Sequence, residues 1–253
     1  MTEGYWIDMD YTYIDRNVEQ IRERIEKAKS ACGRDGEDVL MVAAVKYATP
    51  EEIDRLREIG VRDVGENRVQ QMLEHYDAIN TEGMNFHFIG TLQTNKVKYI
   101  ADKVCMIHSV DSEKLAREID KQAKKCGRVI DVLIEINCGE EESKSGVLPK
   151  DAEELCLSIQ KYDGIRLRGF MTMAPRCDKK EDYLKFFQQT YAQVLDIWTK
   201  KLHNISRPVI SMGMSESFEE AIASGADIVR IGRSLFCKVK NKKYKNISEE
   251  NYA

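Results

Sequence analysis

The sequence is poor in the features that mark membrane, secreted and nucleic-acid-binding chains. No apolar stretch approaches the roughly 20 residues needed to span a bilayer. The start, MTEGYWIDMDYTY, is acidic and aromatic, without the basic first region and apolar second region of a signal peptide. No CxxC occurs. The cysteines (Cys32, Cys105, Cys126, Cys138, Cys156, Cys177 and Cys237) number seven, an odd count, and several fall inside apparent strands or helices. That predicts reduced thiols and a cytoplasmic location. Neither sign of charge dominates: 39 basic against 43 acidic residues leave a net charge of −4. No nucleic-acid or membrane partner is expected from so small a field. The four histidines show no HExxH or other metal-ligand spacing, so no metal site is expected. No Pro/Gly/Ser-rich linker divides the chain, which predicts one domain over 1–253.

What is present is a long alternation of strand and helix patterns. YIDRNVEQIRERIEKAKSACG places Ile14, Val18, Ile21, Ile25 and Ala28 at spacings of three and four. This predicts a helix over about 11–32, ended near Gly33. VLMVAAV then reads as a buried strand, followed by a helix that Thr49 can cap, Pro50 can open and Gly60 can close. About eight β/α units follow one another over about 39–237, and a polar tail comes after. Alternating strands and helices imply a parallel sheet. Eight units at this length predict a single (β/α)8 TIM barrel with an extra N-terminal helix, because such barrels take about 250 residues. An open doubly wound sheet is the alternative. No GxGxxG follows the first strand, which counts against its dinucleotide-binding version.

Barrel chemistry sits at the C-terminal strand ends. This places Lys46, Glu66, Asn67, Gly90, Ser109, Asn137, Met173, Ser211, Ser215, Arg230 and Gly232 at the mouth. Lys46 stands where the first apolar run stops. It is either the first solvated residue of an emerging strand or a nucleophile on an active-site rim. SMGMSESFEEA couples a glycine turn to a helix start that Ser215 or Ser217 can cap, with Glu220 at the spacing of a capping box. VRIGRSLF puts a second glycine turn after the last strand. Together the two segments predict an anion site for a phosphate. Arg230, within the last strand, needs an acceptor. A lysine at the first strand and an anion site at the last are neighbours in a closed barrel, a pairing that suits a phosphorylated aldehyde. His87, between Phe86 and Phe88, and His108 read as packed strand residues. Tyr183, Phe186, Phe187 and Tyr191 read as a packing stripe.

In order along the chain, VAAVKYATPEEI, VGENRVQQ, FHFIGTLQTNK, IHSVDS, INCGEEESKSGV, LRGFMTM, SMGMSESFEEAI and VRIGRSLF resemble the pyridoxal-phosphate homeostasis proteins. That family is related to the barrel domain of the alanine racemases. The resemblance runs from about residue 39 to 236. It implies that Lys46 forms an imine with pyridoxal 5′-phosphate and that Asn67 lies near the cofactor. It implies that Ser215, Gly232 and the amide of Arg233 hold the phosphate, and that Arg230 faces the pyridine nitrogen. Ser211 and Met212 are expected to line the same pocket. Partial desolvation of Lys46 is expected to favour its neutral amine. Family members generally show no turnover of their own and influence vitamin B6 and amino-acid balance, so no catalytic residue is assigned. The sequence departs from the family pattern at Thr91, Arg233 and Cys237. A backbone contact at Arg233 survives that change; a hydroxyl contact does not.

Three functions compete: a carrier and regulator of pyridoxal phosphate that hands it to apo-enzymes, a pyridoxal-phosphate-dependent racemase, and a Schiff-base aldolase without cofactor. A racemase of this class needs a further β-domain carrying a second acid/base. The short polar tail after RSLFCK is not expected to supply one, which favours the carrier and a monomer.

Overall fold

The computed structural model describes residues 11–140, 145–201 and 207–238. Its centre is a closed barrel of parallel strands: β1 (Leu40–Ala44), β2 (Asp63–Glu66), β3 (Asn85–Phe88), β4 (Val104–Val110), β5 (Ile130–Glu135), β6 (Ile165–Met171), β7 (Val209–Met214) and β8 (Ile228–Ile231), each paired with its neighbour in sequence. Met41 beside Val229 and Ala43 beside Ile231 close the ring between β1 and β8. Helices α1 (Thr12–Ala31), α2 (Pro50–Glu58), α3 (Val69–Ala78), α4 (Glu113–Lys125), α5 (Pro149–Ile159), α6 (Lys180–Lys201), α7 (Phe218–Ala223) and α8 (Arg233–Phe236) surround it. The expected (β/α)8 architecture with an added first helix is therefore present. The tail beyond Lys238 lies outside the described residues.

Local chemistry explains the boundaries. Thr49 accepts from the Glu52 N–H while the Glu52 carboxylate accepts from the Thr49 N–H, a reciprocal cap that starts α2 at Pro50. Gly60 ends it at φ +80°. The helix expected between β3 and β4 is instead a 3₁₀ turn, Thr94–Tyr99. Val97 and Ile100, three residues apart, are both fully buried. Threefold spacing is what a 3₁₀ turn stacks on one face. Ser217 does precede α7, but its side chain makes no cap bond. Its hydroxyl accepts from the Met214 N–H instead, so the expected capping box does not form.

Two layers of packing follow from strand alternation. Ala43, Val45, Val64, Phe86, Phe88, Val132, Ile134, Ile210, Met212, Val229 and Ile231 belong to the apolar shell between barrel and helices. Tyr76 of α3 against Phe86, and Trp198 of α6 against Phe170, show the direction in which that shell faces. Residues of opposite parity fill the barrel: Val42, Gly65, His87, Leu133, Ser211 and Arg230. The aromatic stripe of α6 is packing, with Tyr183 and Phe187 buried and Phe186 and Tyr191 against the core. Helix α1 ties the ends together. Asn17 donates to the carbonyls of Leu235 and Cys237 at 2.8 and 3.1 Å, and Arg55 of α2 donates to Asp15 at 2.9 Å.

Candidate functional site

Two of the anticipated clusters form at the mouth. On the β7–β8 side, the Ser215 hydroxyl oxygen accepts from the Gly232 and Ser234 N–H groups, both at 3.3 Å. The chain must turn sharply to place it. Gly213 has φ +91°, and a Cβ there would lie 2.5 Å from the Ala221 Cβ. At Gly232 a Cβ would lie 3.2 Å from the Ala44 carbonyl oxygen. That carbonyl is two residues before Lys46, so the glycine turn lies against the strand that leads to the lysine. Ser234 was not among the expected residues. Its signal was available, as the residue two past the glycine turn.

On the β1–β3 side, Lys46, Tyr47, Asn67, Arg68, Gln71, Gly90 and Thr91 line an open cleft of about 730 Å³. The Lys46 amine lies 4.8 Å from the Tyr47 ring centre, and Gln71 donates to the Lys46 carbonyl at 2.6 Å. Lys46 is exposed, so the expected desolvation of its amine is not found. The strand ends at Ala44, and the lysine stands beyond the rim. The Thr91 hydroxyl contacts that of Ser145 at 2.9 Å.

Arg230 lies below the mouth, 4% exposed. It donates to the Ser211 hydroxyl at 2.7 Å and to the carbonyl of Thr172, just past β6, at 2.9 Å. Burial lowers its pKa to about 10, against the opposing pull of Glu135. It therefore stays charged at neutral pH. Ser211 is fully buried beneath it and touches Arg230 and His108. Met212 does not share that space: its side chain is buried in the outer apolar shell. Successive residues of a strand face opposite ways, so only the Met212 backbone is available to a pocket. Arg233 turns its exposed side chain to Glu216 at 2.9 Å, away from the turn whose N–H groups converge on Ser215.

One carboxylate leaves the place expected of it and another occupies the mouth. Glu66, anticipated at the mouth, faces the helices and is bound to His75 at 2.5 Å. Glu135, not anticipated, ends β5 on the inward parity and is 3% exposed. Burial and then the nearby Asp111 push its pKa up to about 7, with Arg230 opposing. Each glutamate is the last residue of its strand, so the sequence offered no means of telling them apart.

The donor set fits a phosphorylated pyridine aldehyde. It combines converging backbone N–H groups, a close glycine approach, a guanidinium without acceptor atoms and a primary amine, set on β1, β7 and β8. Residues 12–238 match the family described as alanine racemase, N-terminal domain. The pyridoxal phosphate homeostasis protein of Aquifex aeolicus is 42% identical over 87% of this chain and 95% of its own length. The chain belongs to the pyridoxal phosphate homeostasis protein family. A solved structure of a similar protein, PipY of Synechococcus elongatus, has pyridoxal phosphate bound. It superposes with a TM-score of 0.77 at 25% identity, over 88% of this chain and 100% of that one. Diaminopimelate decarboxylase from Helicobacter pylori shares the fold alone, with a TM-score of 0.67 at 16% identity over 89% of this chain and 62% of that one.

Proposed function

We propose that this protein binds pyridoxal 5′-phosphate, holds it covalently on Lys46 and releases it to apo-enzymes, serving vitamin B6 and amino-acid balance in the cytoplasm. The observation that carries the reading is the Ser215 cradle, with Gly232 and Ser234 N–H groups aimed at one oxygen. A phosphate oxygen there would take the place of one hydroxyl lone-pair site and meet the same donors. The cofactor supplies an electrophilic aldehyde for an amine and a ring that withdraws electrons. Asn67 lies beside Lys46 in the same cleft, and Ser211 supports Arg230 from below.

Arg230 bears on turnover. A guanidinium has donors only, so a ring nitrogen facing it must accept and carry no proton. That weakens the electron sink on which carbanion chemistry depends. An arginine there does not forbid racemisation, since related racemases use one. Glu135 supports the second reading, an amino-acid racemase. A carboxyl with a pKa near 7 at the mouth is matched to proton transfer at neutral pH. The discriminating experiment incubates cofactor-loaded protein with L- and D-amino acids in deuterium oxide. No sustained racemisation and no solvent deuterium at Cα is the expected result. Turnover abolished by Lys46→Ala and by Glu135→Gln would establish the racemase instead.

A further inference from the structure

A chain of polar side chains crosses the inside of the barrel, linking β2, β3, β4, β7 and β8. Asp63 Oδ1 lies 3.0 Å from His87 Nε2. His87 Nδ1 lies 2.9 Å from His108 Nε2. His108 Nδ1 lies 3.0 Å from Ser211 Oγ, which takes the 2.7 Å bond from Arg230. His87, His108, Ser211 and Arg230 are each at most 4% exposed. Four polar residues of this kind in the centre of a barrel are costly unless every bond is made.

The end groups dictate the direction of every bond. Arg230 has only donors, so Ser211 Oγ accepts from it. An ionised Asp63 has only acceptors, so His87 carries its hydrogen on Nε2. Asn85 Nδ2 donates to the same carboxylate oxygen at 3.1 Å, in keeping with that role. A neutral His87 then has a bare Nδ1, and His108 must carry its hydrogen on Nε2. A neutral His108 then has a bare Nδ1, which takes the Ser211 hydrogen. Donation runs one way, from Arg230 through Ser211, His108 and His87 to Asp63. The neutrality of His108 has its own support: burial first, then His87 and Arg230, lower its pKa well below the ordinary value.

We propose that His87 and His108 are positioning residues which, anchored by Asp63, hold Arg230 as an oriented donor facing the barrel mouth. The inference rests on the cofactor reading for its consequence, since the ligand it orders Arg230 toward is the pyridine ring. The chain of bonds itself needs no ligand. The Thr172 carbonyl, just past β6, fixes the second Arg230 nitrogen, so the guanidinium is held on two sides. The other charged groups near the chain are Glu135 above, felt by Arg230, and Asp131 on β5 below, which Arg166 and Arg168 pair. Asp63 is the member of the chain nearest to solvent, with a side chain 19% exposed. A proton added to His87 would reverse the upper links. His87 Nδ1 would donate to His108 Nε2, His108 would carry its hydrogen on Nδ1, and Ser211 would accept from both sides. The Ser211 hydrogen would then have to turn to another acceptor.

Nitrogen-15 NMR of histidine-labelled, cofactor-free protein decides the bond direction. At neutral pH both rings should be neutral with hydrogen on Nε2. A neutral-pH His108 with hydrogen on Nδ1, or doubly protonated, would overturn the proposal. The link to the mouth is read with pyridoxal phosphate itself. His108→Phe should weaken its binding by roughly tenfold, the effect of one lost bond to a charged group, and make the absorption band of bound cofactor change with pH. His108→Gln, which can donate to His87 and accept from Ser211, should restore both. Wild-type affinity and an unmoved band in a folded His108→Phe protein would remove the positioning role. If the wild-type protein binds no pyridoxal phosphate at all, the cofactor reading fails, while the NMR result still decides the direction of the chain.

Discussion

Ser215 and Gly232 face each other across the turns that follow β7 and β8, the serine oxygen accepting from the glycine N–H at 3.3 Å. The contact joins two turns that are 17 residues apart in sequence. Removing the hydroxyl by Ser215→Ala should weaken pyridoxal phosphate binding by roughly 1–3 kcal/mol if it bonds a charged oxygen. Gly232→Val should weaken it further, because a Cβ there would lie 3.2 Å from the Ala44 carbonyl oxygen. Titration of both variants against cofactor, with melting curves as the control for folding, checks this. Unchanged dissociation constants in folded variants would move the phosphate elsewhere.

Lys46 should carry the cofactor. Borohydride reduction of loaded protein, followed by digestion and mass spectrometry, should place a pyridoxyl group on Lys46. Lys46→Ala should retain phosphate-dependent binding through the Ser215 turn but lose the yellow covalent species. An adduct on another lysine of the wild-type protein would contradict the assignment.

Glu135 should make stability depend on pH. Its folded pKa, about 7, lies above its ordinary value of 4.5. The folded state therefore binds more protons between those values, and stability falls as pH rises from the lower through the higher. Glu135→Gln should flatten that fall, gaining up to about 3 kcal/mol over wild type above pH 7. Urea denaturation from pH 5 to pH 8.5 gives the comparison. Parallel curves for the two proteins would mean that Glu135 ionises without cost.

Gly213→Ala should destabilise the fold by about 1–3 kcal/mol. Its φ of +91° disfavours a side chain, and the new methyl would meet Ala221 of α7 at 2.5 Å. Because the same turn carries Ser215, cofactor affinity should fall with it. Thermal melting and cofactor titration of one sample measure both effects. Wild-type stability would show that α7 can move aside.

Handover should be faster than release. Loaded protein mixed with an apo pyridoxal-phosphate enzyme should activate it more quickly than free cofactor escapes into a trap. Equal rates would reduce the protein to a reservoir.

The eightfold alternation was legible because helical spacing and apolar strand runs are local properties of the chain. The capped start of α2 was legible for the same reason, since Thr49 and Glu52 are three residues apart. Lys46, Arg230 and the two glycine turns could be marked from their places at strand ends. Strand faces could not be read. In a parallel barrel both faces of a strand are buried, so the sequence shows no polar alternation to say which side looks inward. Met212 therefore passed for a pocket residue, Glu66 for a mouth carboxylate, and Glu135 went unmarked. The two histidines looked like isolated packed residues because each bonds across the barrel. His108 reaches Ser211 over 103 residues of chain and His87 reaches Asp63 over 24. Residue types and their order were set by the sequence alone. Which of them meet was decided by closure of β1 on β8 and by the register of each strand, since both bring together groups that no local pattern connects.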